Sequence, residues 1–236
     1  MIHYHGGPIT PYAALYELAG RCFCVSFARP EQIKAVQGQS QSTMGDCGEF
    51  KFRNDDIKAG LTERRSRDWA EYYAWVEQWY RPCDWFVVPD VIDGGTQMQD
   101  ALIREWPHPR RIAAPVWHMD EPISRLLRLC EEDWNRVCVG STAEYWKVLS
   151  DPWRRRMDEA WNEISAVFGR LVPPVHMLRG MQLSGREYPF ASGDSTDIAQ
   201  NHNRPQNTPR SMADRWDALQ CPGHWHREPE QMELAS

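Results

Sequence analysis

Eight short runs rich in strand-forming residues punctuate this chain, and amphipathic stretches separate most of them. The runs are IHYH (2–5), CFCVSF (22–27), STMGDCG (42–48), WFVVPD (85–90), IAAPVWH (112–118), RVCVGS (136–141), PVHMLRG (174–180) and YPFASGD (188–194). Strands that alternate with helices pair in parallel, because a parallel neighbour is reached only through a long crossover. Eight such repeats predict an α/β fold of the (β/α)8 TIM-like barrel type, compact at 236 residues, with a C-terminal extension. A doubly wound open sheet is the alternative architecture.

Unbroken apolar runs such as Trp85 to Val88 suit strands buried on both faces. Between the runs, residues 66–80 place Trp69, Tyr72, Tyr73, Val76 and Tyr80 at helical spacing, with Ser66 as the expected N-cap. Those aromatics read as core packing rather than a base-stacking platform. Further helices are expected over about 97–106, 122–132 and 143–168, with Pro152 breaking the last or starting a second helix. The barrel is expected over residues 1–200. Residues 201–236 form the extension: a polar, proline-bearing loop, a short helix in MADRWDALQ and a frayed end.

The net charge of −6 provides no global basic field to attract nucleic acid. Local arginine clusters at 64, 65 and 67, at 110–111 and at 154–156 read first as solvated faces, and as phosphate contacts only where a local patch forms. Seven cysteines, an odd number, and no secretory leader pattern predict free thiols and a cytoplasmic setting. No apolar run approaches the ~20 residues of a membrane span.

In a parallel barrel the C-terminal strand ends open onto one mouth, where chemistry is done. A carboxylate just past a buried strand therefore belongs to that mouth. Asp46, Asp90 and Asp194 stand at such ends, together with His118, Gly140, Ser141 and Arg179. Each acid alone reads equally as a helix cap or turn residue. Their convergence on one rim is what makes a candidate site, since three carboxylates can serve as nucleophile, general acid/base and hydrogen-bond acceptor. His5, at the end of the first strand, reads equally as lining the site or as merely packed, and Phe27, at the end of the second, is a further candidate for sandwiching a base, although core packing is its stronger reading. Trp117 reads as core, and Asp93, before Gly94 and Gly95, as a turn acid. Metal binding is the rival use of three Asp and a His. No H-E-x-x-H or paired C-x-x-C motif supports zinc, and Cys221, His224 and His226 lack a clear fourth ligand. No metal site is expected.

At these residues the sequence resembles the tRNA-guanine transglycosylase superfamily, and more extensively the phage deazapurine DNA-modification proteins of the DpdA type. The phrases HYHGGPITP, VSFARPEQI, DWAEYYAW and AAPVWH carry the phage-type likeness, which spans roughly residues 1–200. DCGEF resembles the acid/base motif Asp-Ser-Gly-Gly-aromatic, with Asp46 as its aspartate and Glu49 replacing the second glycine. VVPDVIDGG offers Asp90 as the purine-reading aspartate. PVWHMDE answers a Gln-Gly-Gly segment with His118 in place of Gln, and VCVGST answers a Val-Gly loop. FASGDSTD offers Asp194 as the nucleophile. The zinc cluster of the tRNA enzymes is absent, and Cys22 and Cys24 lie at the wrong end of the chain to replace it.

The resemblance implies a DNA-guanine transglycosylase. It would exchange guanine in DNA for a free 7-deazaguanine base, preQ0 or a derivative, through a covalent aspartyl-glycosyl intermediate. Asp194 and Asp46 would be catalytic. Asp90, His118, Gly140 and Ser141 would contact substrate, with Phe27 and His5 as candidate contacts on strand-end position alone. No cofactor is implied, and a phage-encoded protein would work in the host cytoplasm. A tRNA substrate, a hydrolytic N-glycosidase on the same barrel and a non-catalytic nucleic-acid-binding barrel are the alternatives.

Overall fold

The computed structural model describes residues 1–61 and 67–226. Its centre is one parallel sheet of nine strands. These are β1 (Ile2–Gly6), β2 (Cys22–Ser26), β3 (Ser42–Asp46), β4 (Trp85–Val87), β5 (Ala113–Ala114), β6 (Val116–His118), β7 (Val137–Gly140), β8 (Val175–Met177) and β9 (Ser192–Ser195). They lie in the order β5-β4-β3-β2-β1-β9-β8-β7-β6. The outermost strands, β5 and β6, are consecutive in the chain and separated only by Pro115. Proline has no N–H for the ladder, so the strand is interrupted there. The backbone still bridges both sides, because Ala114 O accepts from Val88 N and Pro115 O from Cys138 N, each at 2.9 Å. The sheet is therefore a nearly closed barrel, and the open-sheet alternative is set aside.

Among the described residues, helices α1 (Tyr12–Tyr16), α2 (Ile33–Gln37), α3 (Glu49–Lys58), α4 (Ala70–Trp79), α5 (Gly95–Glu105), α6 (Ile123–Glu131), α7 (Asp151–Phe168), α8 (Asp197–Asn201) and α9 (Pro209–Asp217) accompany the barrel. The short helices α1, α2 and α8 and the longer α3 were not evident from periodicity. Helix α7 is the clearest amphipathic case. It buries Trp153, Met157, Ala160, Trp161 and Ile164 on one stripe, and Pro152 sits in its first turn, where a missing N–H costs nothing. In α4 the buried residues are Tyr72, Trp75 and Val76, with Trp69 at the N-cap; the expected cap, Ser66, lies outside the described residues.

Side chains alternate between the two faces of a strand. The pairings Tyr4 with Asp194, His176 with Ser192, Ser26 with Asp46 and His118 with Gly140 put these residues on the inner face. The outward positions, including Phe23, Phe86, Trp117, Val139, Val175 and Met177, are buried beneath the helices. Gly45 is one of them. A Cβ there would meet the Phe86 ring at 2.2 Å and Trp75 at 3.1 Å. Gly45→Ala is therefore expected to lower unfolding free energy by about 1–3 kcal/mol through overpacking, as measured by urea denaturation.

The last strand departs from expectation. The run 188–194 was expected to be extended throughout, but β9 starts at Ser192. Tyr188 and Phe190 instead pack into the helix-side core with Trp153 and Trp161. The extension docks on the barrel through α9, whose first turn is closed by a reciprocal capping box between Thr208 and Ser211. Met212 and Ala213 are buried, His3 Nδ1 lies 3.0 Å from Asp217 Oδ1, and Arg21 pairs with Asp214 and Asp217. No helix among the described residues is long and apolar enough to cross a membrane.

Candidate active site

The strand ends β3, β6 and β7, and the loops after β4 and β8, enclose a cavity of about 450 Å³. Asp46, Glu49, Phe50, Asp90, Asp93, His118, Gly140, Ser141, Trp146 and Arg179 contribute to its walls. An adjoining cavity of about 300 Å³ is lined by Asp46, Asp194, Ser26, Cys24, Phe50, Lys51, Arg29 and Arg179. Asp46, Phe50, Leu178 and Arg179 belong to both, so the two are lobes of one mouth. Volumes of this order suit a small-molecule site.

Asp46 ends β3 beside Ser26. Its Oδ2 accepts from Gly48 N at 3.1 Å, and a side-chain hydrogen bond comes from Ser26. Burial raises its pKa to about 7 against the pull of the Ser26 bond, and the charges of Asp90 and Asp194 push the same way. Only glycine fits at Gly48: φ is 88°, and a Cβ would stand 2.8 Å from that of Ala28. That turn lets α3 begin at once. It also buries Glu49, whose Oε2 accepts from Arg67 Nε at 3.0 Å. Burial raises Glu49 to about 7 even with that partner, so the residue that departs from the motif adds a carboxyl shared with Arg67 to the wall.

Asp90 lies three residues beyond β4, with both oxygens engaged. Oδ2 is 2.9 Å from His118 Nε2, and Oδ1 accepts from Cys47 Sγ at 3.4 Å. Gln99, buried on α5, sets the state of His118. Its Oε1 accepts from Val91 N and its Nε2 donates to Val91 O, which fixes the amide and presents an N–H to His118 Nδ1 at 3.1 Å. Nδ1 must then accept, so His118 donates to Asp90 from Nε2. Burial opposes a charge on His118, but the bond and charge of Asp90 outweigh it and raise the pKa. His118 N donates to Glu121 Oε2 at 2.9 Å, and Arg125 neutralises that carboxylate at 2.8 Å. A Cβ on Gly140 would stand 2.7 Å from His118 Cδ2, so glycine lets the imidazole rest there.

Asp194, on β9, is held through one oxygen by donors that follow or belong to β8. Arg179 N donates to its Oδ1 at 2.7 Å, and His176 Nε2 reaches the same oxygen at 3.2 Å. Arg179 has φ of 53°, a left-handed conformation that costs a non-glycine residue about 1–2 kcal/mol and turns its N–H toward the carboxylate. Its guanidinium sits over the Phe50 ring, 4.3 Å from the centroid, at the junction of the two lobes.

No family model, no curated protein and no solved structure matches this chain.

Of the residues expected in the site, Asp46, Asp90, His118, Gly140, Ser141 and Asp194 are brought together, with Arg179. Two are not. His5 is fully buried on the outer face of β1, on the same side as His3, and lines neither lobe. Burial lowers its pKa to about 4, so it is a neutral packed side chain. The strand's alternation decides this, since Tyr4 takes the inner face. Phe27 lines neither lobe and packs edge-on against Tyr72, 5.4 Å between ring centres, and against Phe52 and Trp75. Asp93 has φ of 57°, as a turn acid would, and it also reaches the cavity wall. Trp117 is fully buried in the core.

The arginine clusters serve mainly as ion-pair partners. Arg110 pairs with Glu132, Arg154 with Glu187 and Arg156 with Glu159, while Arg64 and Arg65 lie outside the described residues. In the tail, His224 and His226 lie ring to ring at 4.3 Å. Cys221 Sγ turns instead to Met1 Sδ and Leu183 O, each at 3.4 Å. No group of three or more His, Cys, Asp or Glu among the described residues is placed to hold a metal ion. Sequence reasoning missed Gln99, His176, Phe50 and Trp146. The last two are large aromatics, 50% and 70% exposed at the mouth, and exposure is invisible in a sequence without a fold.

Proposed function

We propose that the chain is a base-exchange transglycosylase acting on guanine in DNA, with a 7-deazaguanine as the incoming base. On the same reading β5 and β6 are one strand interrupted at Pro115, and the barrel is eight-fold. One observation carries the chemistry: the carboxyl groups of Asp46 and Asp194 line one cavity and are held by different partners. Burial raises the Asp46 pKa to about 7, while Asp194, lining the same lobe, has Oδ1 fixed by two donors, Arg179 N and His176 Nε2. Two carboxyl groups with separated roles are what displacement at an anomeric carbon needs.

The target nucleotide leaves the helix stack, since C1′ is out of reach inside a duplex. Asp194 Oδ2 bonds to C1′ as the C1′–N9 bond breaks, and protonated Asp46 supplies the proton that guanine takes away. The new base then attacks C1′ through N9, the aspartyl ester bond breaks, and the N9 proton passes to Asp46. Atoms and charge balance over the two halves, with no redox step. Asp90, oriented by His118, accepts from the N–H groups of the base.

The test is incorporation of radiolabelled guanine into DNA by the purified protein, with tRNA in parallel. Label in DNA supports the proposal. Label in tRNA alone overturns the choice of nucleic acid. Free guanine with an abasic strand reports hydrolysis instead. In the same assay Asp90→Asn is expected to raise KM for the incoming base about 10–100-fold, the loss of one charged hydrogen bond, with adduct formation on DNA retained.

A further inference from the structure

A hydrogen-bonded line runs through the barrel interior from its floor to Asp194. Arg136, at the entry to β7, donates from Nη1 to Ser192 Oγ at 2.7 Å. Ser192 Oγ lies 2.8 Å from His176 Nδ1, and His176 Nε2 lies 3.2 Å from Asp194 Oδ1. His176 and Ser192 are both fully buried. Arg136 is all donor, so Ser192 Oγ accepts from it and turns its own proton toward His176 Nδ1. Nδ1 is then an acceptor, and the ring carries its proton on Nε2, facing Asp194. The ring is walled in by Trp85 at 5.0 Å and Tyr4 at 5.9 Å between centres. Arg136 stacks on the same Trp85, 4.3 Å from its ring centre.

We propose that His176 is the positioning residue of Asp194, held in its Nε2–H tautomer by Ser192 and Arg136. It fixes Oδ1 and leaves Oδ2 to attack. This rests on the reading of Asp194 as the nucleophile. Burial lowers the His176 pKa more than the adjoining carboxylate restores it. The ring is therefore neutral: it orients Asp194 without neutralising it. In the covalent intermediate Oδ1 becomes the ester carbonyl oxygen. The same two donors, His176 Nε2–H and Arg179 N–H, then receive the charge that returns as the ester breaks.

Three variants and one spectrum test this. His176→Phe keeps the ring and removes both nitrogens. It is expected to lower kcat for exchange about 100-fold, the scale of a misplaced reacting group, with KM for the incoming base unchanged. His176→Gln restores an N–H near the Nε2 position and is expected to recover most of that loss. Ser192→Ala is a small change with little risk to folding, and it is expected to lower kcat by releasing the tautomer. Nitrogen-15 NMR of histidine-labelled protein reads the tautomer directly and needs no turnover. Nε2–H at His176 in the wild type, shifting toward Nδ1–H in Ser192→Ala, supports the relay, and Nδ1–H in the wild type overturns it. Wild-type kcat in folded His176→Phe overturns it as well. An Asp194→Asn protein that still exchanges base would instead overturn the nucleophile, so the two failures are distinct.

Discussion

Asp194→Asn is expected to abolish exchange, with turnover falling about 10⁴-fold or more, because an amide oxygen cannot replace a carboxylate as nucleophile. Three features make the effect specific. Asparagine has the same shape. Its amide oxygen still accepts from Arg179 N and His176 Nε2 at the Oδ1 position, where the native distances are 2.7 and 3.2 Å. Asp90 and His118, which would hold the base, lie in the other lobe. Denaturing gels of protein mixed with guanine-containing DNA should show a covalent adduct for the wild type and none for the variant. Retention of free base, read by equilibrium dialysis, should change less than threefold. A normal adduct in Asp194→Asn would remove this residue from the role.

Asp46→Asn should act in two opposite directions. Exchange falls about 10²–10⁴-fold, the usual contribution of a positioned acid/base. Stability rises. The folded-state pKa of Asp46 is raised from 3.8 to about 7 by burial, so between those values the folded protein binds the proton more tightly than the unfolded chain. Stability from this group is therefore lost as pH rises from about 4 to about 7, and above 7 the fold carries a partly desolvated charge. Asparagine removes that penalty. The variant should melt roughly 2–6 °C higher than wild type at pH 8, with the gap closing by pH 4. In the wild type, the half-reaction that expels guanine should slow above pH 7, where Asp46 has lost its proton. The half-reaction that takes up the new base should slow below it. Rapid-quench measurement of adduct formation and decay across pH 5–9 separates the two limbs.

The acids at strand ends were legible because a parallel barrel turns a local pattern into a global position. A polar residue after a buried strand has one mouth to face, so Asp46 and Asp90 could be placed before any contact was known. The same logic misplaced His5, because strand ends alone do not reveal which face a residue takes. The pairing of Tyr4 with Asp194 fixes that face, and His5 is left under the helices. Strand β9 was misread for a related reason. Tyr188 and Phe190 are as apolar as any strand, yet they fill the space against α7, while Ser192 to Ser195, poor in strand formers, is held by ladders to both β1 and β8.

By itself the sequence determined the class of fold and the identity of the candidate acids, since both follow from short-range periodicity and from residues just past buried runs. Tertiary structure alone decided how those acids differ. The Asp46 pKa is pushed up to about 7 because the barrel desolvates its carboxyl beside two other carboxylates. His118 acquires its tautomer from Gln99, 19 residues away, and Asp194 is oriented through a line joining Arg136 to Ser192, 56 residues apart. Charge state and proton position depend on burial and on partners brought in by the closed sheet. Those are long-range properties that no local spacing encodes.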